Sequence, residues 1–353
     1  MNIRELRIEN LRNLQSVSIK PNPRLNFIVG DNGAGKTSIL ESIVVLSRGR
    51  SFRTTVATEL TGPARDSFRV FAEIMKDDKQ TTRLGLERQG KHWKARKNAV
   101  DLSQLSQLTR SLPLILMEPN SHLLVSGTPE YRRKLLDWGV FHVEQGFLET
   151  WGRYSKALKQ RNAALRVGNE EVIDSLDVIL SPLGEQLSSL RSTHAQKLKQ
   201  ELLGLLPQIC PSIGNISLSY SNGWGENSYA QALVENRYRD MDRGLTHRGP
   251  HRADVVLMKD GTSARAVLSR GEQKTLSAAL LLAQAKFLSQ TGERPVILLD
   301  DLASEFDEAH LNNVLSLALE WGGQTWVTGT RLPVLGGDHT VFHVEHGVVQ
   351  EVV

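Results

Sequence analysis

The stretch that decides the fold is Gly30-Asp31-Asn32-Gly33-Ala34-Gly35-Lys36-Thr37, which matches the phosphate-binding loop pattern G-x-x-x-x-G-K-[ST]. The apolar run Leu25–Val29 before it predicts a strand, and residues 38–46 after it have the pattern of a helix. This loop works only between a strand and a helix, so the context agrees with the motif. The sequence therefore predicts a nucleotide-binding α/β domain.

The chemistry of this loop assigns a role to each part of it. Its glycines let consecutive N–H groups turn toward a phosphate chain, and the helix that follows adds the positive end of its dipole. Lys36 can reach the β- and γ-phosphates, and the Thr37 hydroxyl can bind Mg²⁺. We expect the nucleotide, ATP, to be bound by Gly30, Asp31, Asn32, Gly33, Ala34, Gly35, Lys36, Thr37 and Ser38.

Composition narrows the class of protein. The chain has 353 residues, enough for two domains, and its one cysteine, Cys210, excludes an intrachain disulfide framework and suits a reducing compartment. The N-terminus does not read as a signal peptide, and no apolar run is as long as a membrane-spanning helix. We therefore expect a soluble, cytoplasmic protein with no membrane partner. The net charge of +4 and the pI of about 9.1 favour a polyanionic partner.

The pattern changes twice along the chain. Residues 1–118 predict mixed α/β structure, with period-two segments at 68–74 and 82–86 that indicate an antiparallel side sheet. Residues 119–244 are mainly helical, and we expect Pro207 to end their long helical stretch. Residues 245–353 return to α/β. The nucleotide-binding domain is thus predicted to be split, with a helical domain inserted in it.

A second site element follows in the last third of the chain. The apolar run at 295–299 ends in Asp300 and Asp301, as a central parallel strand of a nucleotide-binding sheet does. We expect Asp300 to hold magnesium, Asp301 to polarise the attacking water, and Lys36 to complete the catalytic set.

Between these elements lies Leu268-Ser269-Arg270-Gly271-Glu272-Gln273, at the start of a predicted helix. Ser269 and Glu272 have the spacing of a capping box, which is one sufficient explanation for them. A glycine in the first turn is not explained that way, because most residues favour a helix more. The alternative is a second phosphate-binding helix N-terminus, formed around Ser269 and Gly271.

This segment resembles the signature motif of ABC-type ATPases, and residues 302–307 resemble their D-loop. The resemblance implies an ABC-ATPase head-like P-loop fold with an antiparallel side sheet and an inserted helical domain. It also implies that Ser269 and Gly271 of one copy contact ATP held by the P-loop of another. The result would be an ATP-dependent head-to-tail homodimer.

Further motifs, spread over nearly the whole chain, resemble the RecF family of bacterial recombination mediators. They are residues 8–13, the P-loop followed by 50–53, Glu118-Pro119, residues 132–137, Gly249-Pro250-His251-Arg252-Ala253-Asp254 and the doublet Asp300-Asp301. The resemblance implies a DNA-binding ATPase that acts on duplex DNA and on single/double-strand junctions. It also implies that the protein helps to load RecA with RecO and RecR, in gap repair, replication fork recovery and the SOS response.

The chain departs from the pattern in two places that concern hydrolysis. No histidine occupies the switch position at the end of the last core strand, residues 324–330, where Thr328 or Thr330 stands instead. Asp301 is one methylene shorter than the glutamate usual in transporters, so we predict slow hydrolysis. The RecF resemblance implies that DNA stimulates it. Arg12 and Arg53 match family positions near the nucleotide, where an arginine can stack on adenine or contact phosphate, but either is equally well an ordinary surface cation.

The sequence alone is also compatible with other functions. The main alternative is the nucleotide-binding subunit of an ABC transporter, and the others are a small-molecule kinase and a module that uses ATP only structurally. The basic run 88–97, which surrounds Trp93, is either a DNA contact or a solvated hairpin whose tryptophan packs on the sheet.

Overall fold

The computed structural model describes residues 1–62, 65–302, 305–330 and 338–352. Strands are numbered in chain order as β1 (Asn2–Leu11), β2 (Leu14–Ile19), β3 (Leu25–Val29), β4 (Ser67–Met75), β5 (Thr81–Gln89), β6 (His92–Lys97), β7 (Val100–Asp101), β8 (Leu114–Met117), β9 (Ile216–Ser221), β10 (Asp254–Lys259), β11 (Thr262–Ser263), β12 (Val296–Leu299), β13 (Gln324–Gly329), β14 (Thr340–Glu345) and β15 (Val348–Val352). The α-helices are α1 (Lys36–Arg48), α2 (Ser106–Ser111), α3 (Leu123–Ser126), α4 (Pro129–Val143), α5 (Phe147–Val167), α6 (Glu170–Ile209), α7 (Tyr229–Glu235), α8 (Arg237–Arg243), α9 (Ala264–Val267), α10 (Arg270–Gln290) and α11 (Glu308–Trp321).

The described chain forms two compact units, one made of residues 1–121 with 281–353 and the other of residues 122–280. Along the chain, the second unit lies between the two segments of the first. The domain boundaries expected from the sequence, at residues 119 and 245, remain predictions. The second compact unit extends to Leu280, so it includes the signature segment, residues 268–273.

A mixed sheet at the centre of the first unit has the order β15-β14-β3-β13-β12-β8. Strands β14, β3, β13, β12 and β8 are parallel, while β15 closes one edge by antiparallel pairing. Strands β8, β12 and β13 are buried along their whole length, which explains the continuous apolar sequences of β8 and β12. Strand β13 instead also buries the polar residues Gln324, Thr325 and Thr328. The carboxyl ends of β3 and β12 are therefore neighbours across β13.

The predicted side sheet is present in the same unit, with the antiparallel order β2-β1-β4-β5-β6-β7. In β4 and β5 buried side chains alternate with less buried ones, as the period-two pattern requires. Their buried faces share one hydrophobic core with α1 and with residues of the central sheet, including Ile28, Leu298 and Trp326.

The second unit is built on the long helices α5 and α6, joined by Gly168 and Asn169. Their apolar faces pack together, and the buried Arg161 of α5 pairs with Asp177 and Asp240 at N···O distances of 2.5 and 2.7 Å. The prediction that Pro207 ends the helix is wrong, because α6 continues to Ile209. A proline near a helix end removes one donor but leaves the last residues enough bonds to stay helical.

Candidate functional site

The P-loop has the strained backbone that its glycines predict. Gly30 has φ of 152°, and a Cβ there would lie 2.2 Å from the carbonyl oxygen of Val344, so only glycine fits. Lys36 opens α1, and its side chain is buried in the loop. Its Nζ donates to the carbonyl oxygens of Gly30 and Asp31 at 2.7 and 2.9 Å. The lysine is thus held at the mouth of the loop.

Asn13, in the turn between β1 and β2, supports this loop from the side. Its Nδ2 donates to the carbonyl oxygens of Gly33 and Ala34 at 3.3 and 3.0 Å, and its Oδ1 accepts from the hydroxyl of Ser38 at 3.2 Å. A Cβ on Gly35 would approach Asn13 Nδ2 to 3.0 Å, so the contact also restricts that position. This role of Asn13 is not visible in the sequence, because nothing local shows that the turn meets the P-loop.

Asp300 follows β12 directly and is nearly fully buried. Its Oδ1 accepts hydrogen bonds from the hydroxyls of Thr37 at 2.9 Å and Thr328 at 2.8 Å. Burial raises the pKa of Asp300 above its ordinary range, although the two hydroxyl bonds act in the opposite direction. A carboxylate and a hydroxyl side by side are the oxygen donors that Mg²⁺ prefers, so these residues fit that ion.

Asp301 has a left-handed backbone, with φ of 51°, and its N–H donates to Thr328 Oγ1 at 2.9 Å. Thr328 therefore bridges the two aspartates, and of the two candidate threonines it is the buried one, while Thr330 is exposed. Asp301 and Thr328 line a cavity of about 530 Å³ together with Lys36 and Thr37. The structure thus brings the P-loop and the aspartate doublet to one site. In the D-loop-like segment, positions 303 and 304 lie outside the described residues.

Arg12 and Arg53 also line this cavity, and Glu41 of α1 holds both. Glu41 is fully buried, and its carboxylate accepts from Nε and Nη2 of Arg12 at 2.9 and 2.8 Å. Arg53 Nη1 lies 3.5 Å from the same carboxylate, which also accepts from the Ser51 hydroxyl. Glu41 was missed from sequence, because a glutamate in a helix is unremarkable until its tertiary partners are known.

The signature segment lies in the second unit. The Ser269 N–H donates to Glu272 Oε2 at 2.8 Å, and the Glu272 N–H donates to Ser269 Oγ at 3.3 Å, which is the expected capping box. Lys259 Nζ holds the other oxygen of Glu272 at 3.0 Å. Ser269 and Gly271 are exposed, and a Cβ added to Gly271 would meet nothing within 4 Å. Packing within the chain therefore does not require glycine at this position.

The basic run at 88–97 forms the β5–β6 hairpin, and Trp93 packs back on the sheet. Its ring meets Phe68 edge-on at 5.9 Å, and the Arg88 guanidinium stacks over it at 4.9 Å. Arg96 pairs with Asp101 at 2.6 Å. Trp93 therefore packs on the sheet, as the second of the two sequence-based alternatives requires. Any DNA contact made by this hairpin would use its cations and not Trp93.

Glu118, at the carboxyl end of β8, is the second acidic group beside Asp300. The Asp300 N–H donates to the carbonyl of Met117 at 2.8 Å, so the two residues follow neighbouring strands at the same edge of the sheet. Burial, and next the charge of Asp300, raise the pKa of Glu118 to about 7, against the opposing charge of Arg48. Glu118 is therefore partly protonated near neutral pH.

A parallel sheet with a P-loop after β3, an aspartate doublet after β12 and a signature-like helix start defines an ABC-type ATPase of the SMC-head class. Residues 2–347 match the model of the RecF/RecN/SMC N-terminal domain. The DNA replication and repair protein RecF of Stenotrophomonas maltophilia is 41% identical, over 99% of both chains. The chain belongs to the RecF family.

Solved structures agree with that assignment. The recombination mediator RecF bound to ATP superposes with a TM-score of 0.90 at 25% identity, over 100% of this chain and 98% of the other. The Pyrococcus furiosus Smc head has a TM-score of 0.62 at 16% identity, over 99% and 96% of the chains, and so shares the fold. Among the described residues, no helix is long and apolar enough to span a bilayer. Membership of the RecF family, and not this absence, replaces the alternative of a transporter subunit.

The raised pKa of Glu118 predicts a pH-dependent stability cost. A carboxyl whose folded pKa lies above its ordinary 4.5 stabilises the fold below that value, and this stability is lost as pH rises through about 7. We expect Glu118→Gln to match wild type at about pH 4 and to gain about 1–3 kcal/mol at about pH 8, at about 1.4 kcal/mol per pKa unit. Calorimetric unfolding at both pH values measures this difference. Exposed Glu320→Gln controls for the loss of a carboxylate, and an equal effect of both variants would contradict the assignment.

Proposed function

We propose that this chain is an ATP-dependent DNA-binding ATPase of recombinational repair, in which ATP joins two copies head to tail. The observation that carries the proposal is the exposed Gly271 beside exposed Ser269, with open space where a side chain would be. Glycine is needed where another molecule comes close to the backbone. The phosphate chain of ATP bound to a second copy is such a molecule, and the helix N-terminus adds a favourable dipole.

In this proposal the P-loop holds ATP by its backbone. The N–H groups of residues 30–38 bind the phosphates, and Lys36 exchanges its two carbonyl acceptors for phosphate oxygens. Arg12, oriented by Glu41, lines the same cavity and contacts the nucleotide. Thr37 and Asp300 would hold Mg²⁺, which when bound neutralises charge on the β- and γ-phosphates.

Hydrolysis is assigned to Asp301. It stands next to Asp300 at the cavity, and its backbone is fixed through Thr328, so its carboxylate can orient and polarise a water near the γ-phosphate. An aspartate reaches less far than a glutamate would from the same backbone. We therefore propose slow turnover, stimulated by DNA, so that the dimer acts as a timed clamp.

DNA and protein partners follow from family membership. The solved relative is described as the recombination mediator RecF in the RecFOR pathway. By analogy we propose that this chain acts in the cytoplasm on duplex DNA and single/double-strand junctions. There it would assist RecA loading with RecO and RecR, in replication fork recovery and the SOS response. The basic pI and the cations of the β5–β6 hairpin support a phosphate-backbone contact.

The dimer proposal predicts the behaviour of Ser269→Arg. A bulky cation at this position would block close approach of the second copy, so ATP-dependent dimerisation should be lost while ATP binding to the P-loop remains. Sedimentation velocity with ATP, with and without duplex DNA, measures this. Ser189→Arg, at an exposed position in the middle of α6, is the matched control and should still dimerise. A wild type that stays monomeric in all conditions would disprove the proposal.

The role of Asp301 predicts the behaviour of Asp301→Asn. Loss of the carboxylate removes the water-orienting group, so single-turnover hydrolysis should slow by about 10²-fold or more. The affinity for ATP, measured by equilibrium titration, should change little, because the P-loop remains intact. Hydrolysis at the wild-type rate would exclude this role.

A further inference from the structure

The second unit contains a recess of about 220 Å³ between α4, α5, α6 and the turn that precedes β10. It is lined by His251 of the Gly249–Asp254 motif noted in the sequence, to which the proposed ATPase function gives no role. The residues that decide its chemistry are Arg133, Lys134, Trp151, Tyr154, Arg191 and His251. Sites for whole small molecules typically measure about 300–1,000 Å³, so this one suits a single side chain.

One wall of the recess is rigid and neutral. His251 Nε2–H donates to the carbonyl of Thr246 at 2.9 Å, so Nδ1 accepts from the Tyr154 hydroxyl at 2.8 Å. The Tyr154 and Tyr229 hydroxyls are 3.1 Å apart. Burial lowers the pKa of His251 to about 4, which keeps the ring uncharged at neutral pH. The wall is therefore fixed in shape and does not supply the charge of the recess.

The net positive charge of the recess comes from its ionic side chains. It is lined by three cations and two carboxylates, namely Arg133, Lys134, Arg191, Glu130 and Asp137. Asp137 is occupied by a bidentate pair with Arg191 at 2.7 and 2.9 Å, and Glu130 pairs with Lys134 at 2.6 Å. Arg133 donates to the carbonyl of Ala253 at 2.8 Å and, over the described ranges of the chain, forms no ion pair. Burial, and next the charge of Arg191, lower the pKa of Arg133. A partly buried guanidinium in this position favours an added anion.

An exposed aromatic side chain also lines the recess. Trp151 is 43% exposed and contributes to the same cavity as Arg133. Tryptophan and arginine side chains are typical of the residues that dominate protein–protein binding energy. We propose that this recess binds a glutamate or aspartate side chain of a partner protein, with Arg133 pairing to its carboxylate and Trp151 packing on its stem.

Nucleic acid fits the same features less well. Phosphates of a duplex lie along its outer surface and meet side chains on open faces, whereas Arg133 lies inside a recess. A stacked base on Trp151 is the remaining nucleic-acid alternative, and it would bring a phosphate rather than a carboxylate. The two are distinguished by the probe that binds.

The test uses the full-length protein labelled with ¹⁵N at tryptophan, whose six indole signals are few enough to resolve. Trp151→Phe assigns the signal of Trp151. The protein is titrated separately with N-acetylglutamate methylamide, its glutamine analogue, inorganic phosphate and oligothymidylate. We expect only the glutamate probe to shift the Trp151 signal in a saturable way, with millimolar affinity, because one charge-assisted bidentate pair supplies most of the binding.

Substitutions at Arg133 test whether this residue binds the probe that shifts the Trp151 signal. Arg133→Met should weaken binding of the glutamate probe by about tenfold or more, and Arg133→Lys should retain part of it. Exposed Arg239→Met is the matched control and should bind like wild type. ATP-dependent dimerisation should persist in all three, so a failure here is distinguishable from failure of the ATPase proposal. No shift with the glutamate probe, an equal shift with the glutamine analogue, or a shift only with phosphate or oligothymidylate would overturn the inference.

Discussion

The hydrogen bond from Thr37 to Asp300 joins parts of the chain that are 263 residues apart, and the rest of the site is arranged around it. It ties the first turn of α1 to the end of β12, while Thr328 on the strand between holds the same oxygen. The parallel sheet makes this possible, because it brings the carboxyl ends of its strands to one edge. A carboxylate this buried is stable only with such partners.

The consequence of this arrangement is a site that is assembled but open on one side. The P-loop, Arg12 and Asp301 face one cavity of the first unit, whereas Ser269 and Gly271 are exposed in the second unit. In a head-to-tail pair each copy would give its signature segment to the other copy's nucleotide. ATP would then stabilise the dimer by binding to it and not to the separate copies, and hydrolysis would remove that stabilisation.

Elements with strong local signals were predictable from the sequence. The strand Leu25–Val29 has the bounds that its apolar run indicates, and the capping box of α10 was readable from its spacing. The roles of Asn13 and Glu41 were not predictable, because they act through partners distant in sequence. The sequence named Thr328 and Thr330 as candidates, and only the structure shows that Thr328 is the one that holds Asp300. The prediction that the helix ends at Pro207 was wrong, because proline disfavours a helix only locally, while the packing of α6 decides where the helix ends.

The most direct test of the central claim, that two copies complete one ATP site, is a mixing experiment. Lys36→Ala removes phosphate binding by the P-loop, and Ser269→Arg blocks the signature, so each variant alone should lack the ATP-dependent dimer. In an equimolar mixture, the P-loop of one variant and the signature of the other form one intact site. Sedimentation with ATP should then show dimers in the mixture and in neither variant alone. A mixture that stays monomeric while wild type dimerises would contradict the account.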